Sequence, residues 1–182
     1  MYAGHFAAGL VLKTQEPRVP TWVILTGTGF LDILFGIFVP LGLERATIVP
    51  GSSPGFRLDY IDWSHSLVMS LVWALAFGAL FLGGGKRIAT FAAMAVFSHY
   101  ALDLFMHPPD LALWPNASIH FGIDLWHRFP TGWWWIEFAF VAACCGYYFV
   151  KSRSNELYGR YAAWACLTVF VLHVLNSPWL QK

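Results

Sequence analysis

The chain has 182 residues, of which 58% are hydrophobic and 18% aromatic, while only 12% carry charge. A soluble domain carries about 25% charged residues, and with a mean hydropathy of +0.56 the composition excludes an ordinary soluble fold. The net charge of +1 gives nucleic acid no electrostatic footing as a partner.

What remains is an integral membrane protein with membrane lipid around it. The expected fold is all-α: a single domain over residues 1–182, built as a polytopic helical bundle of about five transmembrane helices plus a short N-terminal helix. Ten Trp and seven Tyr suit the two membrane interfaces.

In chain order, Met1–Leu12 is apolar apart from His5. It lacks the basic start of a signal peptide, and at ~1.5 Å per residue it is too short to span. It reads as a short helix tucked against the bundle or partly re-entrant, with His5 either interfacial or a ligand. Lys13–Pro20 is a polar, basic connector. Trp22–Leu43 is the first span, with Asp32 as its only charge before Glu44. A carboxylate inside a span marks a functional site or a structural hydrogen bond.

Glu44–Trp63 reads as a loop rich in Pro, Gly and Ser. Ser64–Leu82 is the second span, with Ser64 as its cap and His65 in its first turn. Gly83–Lys86 is a tight turn, and Ile88–Met106 is the third span. Pro108–Gly132 is a long aromatic loop. Trp133–Val150 is the fourth span, with Glu137 near its start, where it serves either the helix dipole or a site. Lys151–Asn155 is a basic turn, and Tyr158–Leu175 is the fifth span, with His173 expected at an interface. Cys144, Cys145 and Cys166 lie in apolar segments as small buried hydrophobes.

The third span carries the densest chemistry. His99, Asp103 and His107 stand at i, i+4 and i+8, so they share one helix face before Pro108 and Pro109 end the helix. Such groups in an apolar segment need a cation, each other or water. Lys and Arg counts put Lys13, Arg18, Lys86, Arg87, Lys151, Arg153 and Arg160 on the cytoplasmic side. His65, His107, Asp110 and Glu137 then gather at the opposite face, with Asp32, His99 and Asp103 below them. Imidazole with carboxylate suits zinc or a similar divalent ion, and one or two such ions can activate water or clamp a phosphoryl group.

Gly4-His5, Leu31-Asp32-Ile33-Leu34, Ser64-His65-Ser66 and Ser98-His99-x-x-x-Asp103 together resemble the YdjM-like family of inner-membrane proteins, described as metal-dependent hydrolases. The likeness continues through His107-Pro108-Pro109-Asp110-Leu111 and Gly122-Ile123-Asp124-Leu125-Trp126 to Glu137. It implies a multi-pass helical bundle in the inner (plasma) membrane, with His5, Asp32, His65, His99 and Asp103 as ligands. The order of these residues is also similar to that of zinc-dependent phospholipase C, which implies His107 as a further ligand. That superfamily's late His-x-x-x-Glu pair is missing here, which leaves one or two ions.

The leading expectation is a membrane-embedded metal-dependent hydrolase. A phosphoester, as of a lipid, is the expected substrate, and Asp62 or Glu137 the general base or a group orienting a ligand. The alternatives are a transporter or proton/metal conduit built on the same buried groups, and a haem-binding or structural membrane protein.

Overall fold

The computed structural model describes residues 1–49, 56–155 and 158–180. These residues are mostly helical, with two small β-hairpins set in the loops. α1 (Tyr2–Gln15) runs through the middle, against α2 (Thr21–Thr28), α6 (Lys86–Met106), α8 (Gly132–Ser152) and α9 (Ala162–Leu175). It can sit there because small residues, Ala3, Gly4, Ala7 and Gly9, stand among its buried positions. A Cβ at Gly9 would come within 2.8 Å of the Thr28 methyl.

Two apolar clusters flank α1. On one side Val23, Ile24, Leu31, Phe77, Ala92, Ala95 and Tyr100 close a core among α2, α3 (Phe30–Phe38), α5 (Leu67–Ala79) and α6. On the other, Ala7, Leu10, Val141, Tyr148, Ala162 and Val169 join α1 to α8 and α9. Gly78 lets α5 ride on α6, since a Cβ there would meet the Ala89 carbonyl at 2.7 Å.

Among the described residues, α6 and α8 are long and apolar enough to cross a membrane, each 21 residues or roughly 32 Å. The expected single span over Trp22–Leu43 is instead two helices, α2 and α3, bent by 51° at Gly29; together they count as a third span only if the bent pair is one. The expected second span is shorter than predicted, while the expected fifth runs over Gly159–Leu175 but opens with a 3-10 turn before α9. α5 has 13 residues and α9 has 14, about 20 Å each. The cause in α5 is Ser66, whose extended backbone (φ −73°, ψ 155°) splits off α4 (Asp62–His65). Ser66, not Ser64, caps α5, accepting the Met69 N–H at 3.4 Å.

Among the described residues, both segments expected as loops hold short strands. β1 (Arg45–Ile48) pairs antiparallel with β2 (Phe56–Tyr60), and β3 (Leu111–Ala112) with β4 (His120–Phe121). α7 (Leu125–Arg128) follows. This second loop folds back on the end of α6. Ile123 and Asp124 donate their N–H groups to the Leu104 and His107 carbonyls at 2.8 and 2.7 Å, satisfying acceptors that a helix end leaves open. Gly122, at φ +146°, makes the approach possible, because any side chain there would collide with the Pro108 carbonyl.

At the far end of α1, Lys13 is buried and donates to the Pro17 and Val19 carbonyls. Glu16 pairs with Arg18 at 2.7 Å and with Arg87 at the start of α6. The Arg18 hydrogen bond holds the Glu16 carboxyl down at about 2. The cationic groups of this end thus lie opposite the His and Asp cluster described next.

Candidate metal centre

Four elements meet where α6 ends. α6 brings His99, Asp103 and His107, α1 brings His5, α3 brings Asp32 and α4 brings His65. All but Asp32 are buried. Asp103 lies at the middle with its two oxygens facing different partners. Oδ1 has His5 Nε2 at 3.1 Å and His107 Nε2 at 3.7 Å. Oδ2 has His99 Nε2 at 3.0 Å and His65 Nε2 at 3.8 Å. Asp32 Oδ1 stands 3.6 Å from both His65 and His99. Two groups, His5–His99–Asp103 and Asp32–His65–His99, each have their ligand atoms within 4.8 Å of one another and can hold a metal ion.

The outer ring nitrogens decide what the inner ones can do. His99 Nδ1 donates to the Thr28 carbonyl at 2.7 Å. His107 Nδ1 donates to Asp110 Oδ1 at 3.1 Å. His65 Nδ1 lies 2.6 Å from Ser64 Oγ, whose hydroxyl donates to the Glu44 carboxylate at 2.8–2.9 Å. With a proton on Nδ1, each of these rings turns Nε2 inward, as a lone pair when the imidazole is neutral and as a second N–H when it is protonated. Lone pairs facing carboxylate oxygens at 3.0–3.8 Å repel unless a proton or a cation lies between them. The donor set, four imidazoles and two carboxylates with three of the rings anchored at Nδ1, suits a metal ion. His5 differs: its Nδ1 has no hydrogen-bond partner among the described residues.

The bend at Gly29 explains one of these bonds. It ends α2 where the Thr28 carbonyl is turned to His99, and it redirects α3 so that Asp32 arrives from the other side. Aromatic packing sets the other rings. His107 lies against Trp126 with centroids 4.5 Å apart, and Phe35 meets His65 edge-on at 6.2 Å.

The cluster opens into a cavity of about 160 Å³ whose apolar wall includes Phe35, Phe56, Leu58 and Trp126. Asp32 faces it with a half-exposed side chain. No lysine or arginine is among the described residues that line it.

Asp62 and Glu137, expected as general base or ligand-orienting group, do not line this cavity. Asp62 accepts the Asn116 N–H at 2.8 Å and faces a neighbouring cleft beside Asp110. Glu137 lies beyond the first turn of α8, fully buried, and accepts the Gly4 N–H at 2.8 Å. It thereby anchors the start of the helix that carries His5. His173, expected at an interface, is fully buried against Trp134 and lies 3.8 Å from Glu137.

Sequence reasoning missed Thr28 and Glu44. A backbone carbonyl leaves no mark in a sequence. Glu44 directly follows an apolar run, a charge worth noting, but its partner lies 20 residues away. Burial pushes the Glu44 carboxyl up, while the bonds from Ser64 pull against that. Comparison of the chain with protein-family models, curated proteins and solved structures finds no match.

Proposed function

We propose that the protein is a metal-dependent hydrolase embedded in the inner membrane, holding one or two zinc ions and acting on a phosphoester, with a lipid as the favoured substrate. It is the activity implied by the resemblance to the YdjM-like family. The observation that carries it is the inward set of Nε2 atoms around Asp103, each outer nitrogen but that of His5 being fixed by an oxygen. His65, His99 and Asp32 would hold an ion on the Oδ2 side of Asp103, and His5 and His107 a second on the Oδ1 side. A zinc ion lowers the pKa of a bound water to about 7 and polarises a phosphoryl oxygen.

The chain's own residues supply the rest. Asp32, open to the cavity, can take the proton of a water there. Phe35, Phe56, Leu58 and Trp126 exclude bulk water and suit an apolar chain. The described lining residues include no lysine or arginine, so a bound ion would supply positive charge toward a phosphoryl group, beside the Met1 ammonium 3.5 Å from Asp103 Oδ1. Glu137 and Asp62 act in this reading as anchors of α1 and of the 108–132 loop.

A multi-pass placement, with α5 and α9 crossing beside α6 and α8, is supported by their outward faces. Leu75 on α5 is 70% exposed and Trp164 on α9 is 68% exposed, as lipid contact requires. The test is turnover of short-chain phospholipid and p-nitrophenyl phosphate by zinc-loaded protein in detergent. The expected result is hydrolysis that stops with a chelator and with His99→Ala. Hydrolysis unaffected by either, or none from a metal-loaded protein on any phosphoester, contradicts the reading.

A further inference from the structure

Glu44 and Ser64 are buried beside the cluster, 1% and 0% exposed, and neither lines the cavity. A carboxylate and a hydroxyl are costly to bury unless bonded, and here the bonds run in one line. Glu44 Oε1 accepts the Ser64 backbone N–H at 2.7 Å. The Ser64 hydroxyl reaches both Glu44 oxygens at 2.9 and 2.8 Å; its contact to the Ile61 carbonyl, at 3.3 Å, is longer. A carboxylate only accepts, so the hydroxyl proton goes to Glu44. The hydroxyl oxygen is then left to accept from His65 Nδ1 at 2.6 Å.

The order of the three groups also settles what Ser64 is not. In a nucleophilic serine the imidazole takes the hydroxyl proton and the carboxylate stands behind the imidazole. Here the carboxylate stands behind the serine, and the serine is closed off from the cavity.

We propose that Glu44, acting through Ser64, is the positioning residue for His65: it fixes the Nδ1–H tautomer and the ring orientation, so that Nε2 is presented to the centre opposite Asp32. This rests on the metal-centre reading and extends it. Glu44 closes the turn after α3, the helix that carries Asp32. One segment therefore supplies a ligand from one side and holds the histidine opposite it from behind, so that a shift of α3 against α4 moves both together.

The test combines zinc affinity, by competition with a chromophoric chelator, with the His65 tautomer, by nitrogen NMR on histidine-labelled protein. Ser64→Ala and Glu44→Ala, checked for retained helical circular dichroism, are expected to weaken zinc binding by about 10–100-fold. Ser64→Thr, which keeps the hydroxyl, is expected to bind as the wild type does. The protonated Nδ1 signature of His65 is expected in the wild type and lost in Ser64→Ala. A folded Ser64→Ala with unchanged affinity and unchanged tautomer overturns the proposal. If the alanine variants do not fold, Glu44→Gln replaces them, with weakened affinity supporting the proposal and unchanged affinity overturning it. If the wild type binds no zinc, the metal-centre reading fails, and the tautomer comparison alone decides this one.

Discussion

His5 and His99 stack face to face, with ring centroids 3.7 Å apart and planes 7° from parallel, and each turns Nε2 to a different oxygen of Asp103. Two imidazolium rings at that spacing would repel strongly in a buried site. At most one of the two rings therefore carries a proton on both nitrogens, and both lie within reach of the same carboxylate. His5 belongs to the His5–His99–Asp103 group only, whereas His99 is shared with the second group, Asp32–His65–His99. His5→Ala is therefore expected to lose at most one equivalent of metal and to keep the rest, measured by elemental analysis of purified protein. Loss of all metal in a folded His5→Ala would show that the two sides are a single site.

The contact between α1 and α2 should matter at a distance. Gly9 lies so close to Thr28 and Ile24 that a side chain cannot be added without moving α2, and α2 holds the carbonyl that orients His99. Gly9→Val is expected to cost about 1–3 kcal/mol through overpacking and to weaken zinc binding by roughly tenfold as the Thr28 bond is strained. Gly36→Ala is the control. Nothing lies within 4 Å of a Cβ there, and alanine in a helix interior is favoured by up to about 1 kcal/mol over glycine. Thermal unfolding and zinc titration of the two variants check both statements.

Acid sensitivity should reside at the opposite end. The Arg18 hydrogen bond holds Glu16 at about 2 in the folded chain, against an ordinary value of 4.5. The unfolded chain therefore binds more protons than the folded one between those values. The stabilisation is fully present above about pH 4.5 and is lost as pH falls towards 2. Glu16→Gln is expected to flatten this part of the stability profile, measured by unfolding at stepped pH. An unchanged acid limb in the variant would contradict the assignment.

The cluster was legible because charge inside apolar sequence is rare. His99, Asp103 and His107 announced themselves by helical spacing, and His5, Asp32 and His65 by standing in otherwise apolar surroundings; the structure brings all six together. The helix ends at Pro108 and after Gly85 were readable for the same local reasons. The break at Gly29 was not, since glycines in a span serve close packing as often as bending, and only the demand of His99 for a carbonyl distinguishes the two. α5 was overestimated because the hydrophobic run continues through Ser66, where the backbone turns. Glu44 and His173 escaped because burial by distant elements leaves no local pattern. The hairpins in the loops depend on pairing across a loop that periodicity does not report.

The most direct measurement is the metal content of detergent-purified wild type beside Asp103→Ala, both exposed to zinc and then desalted. One or two equivalents are expected in the wild type and none in the folded variant, since the two oxygens of Asp103 face different histidines of the cluster. A well-folded wild type that retains no metal, or a variant that retains as much as the wild type, would contradict it.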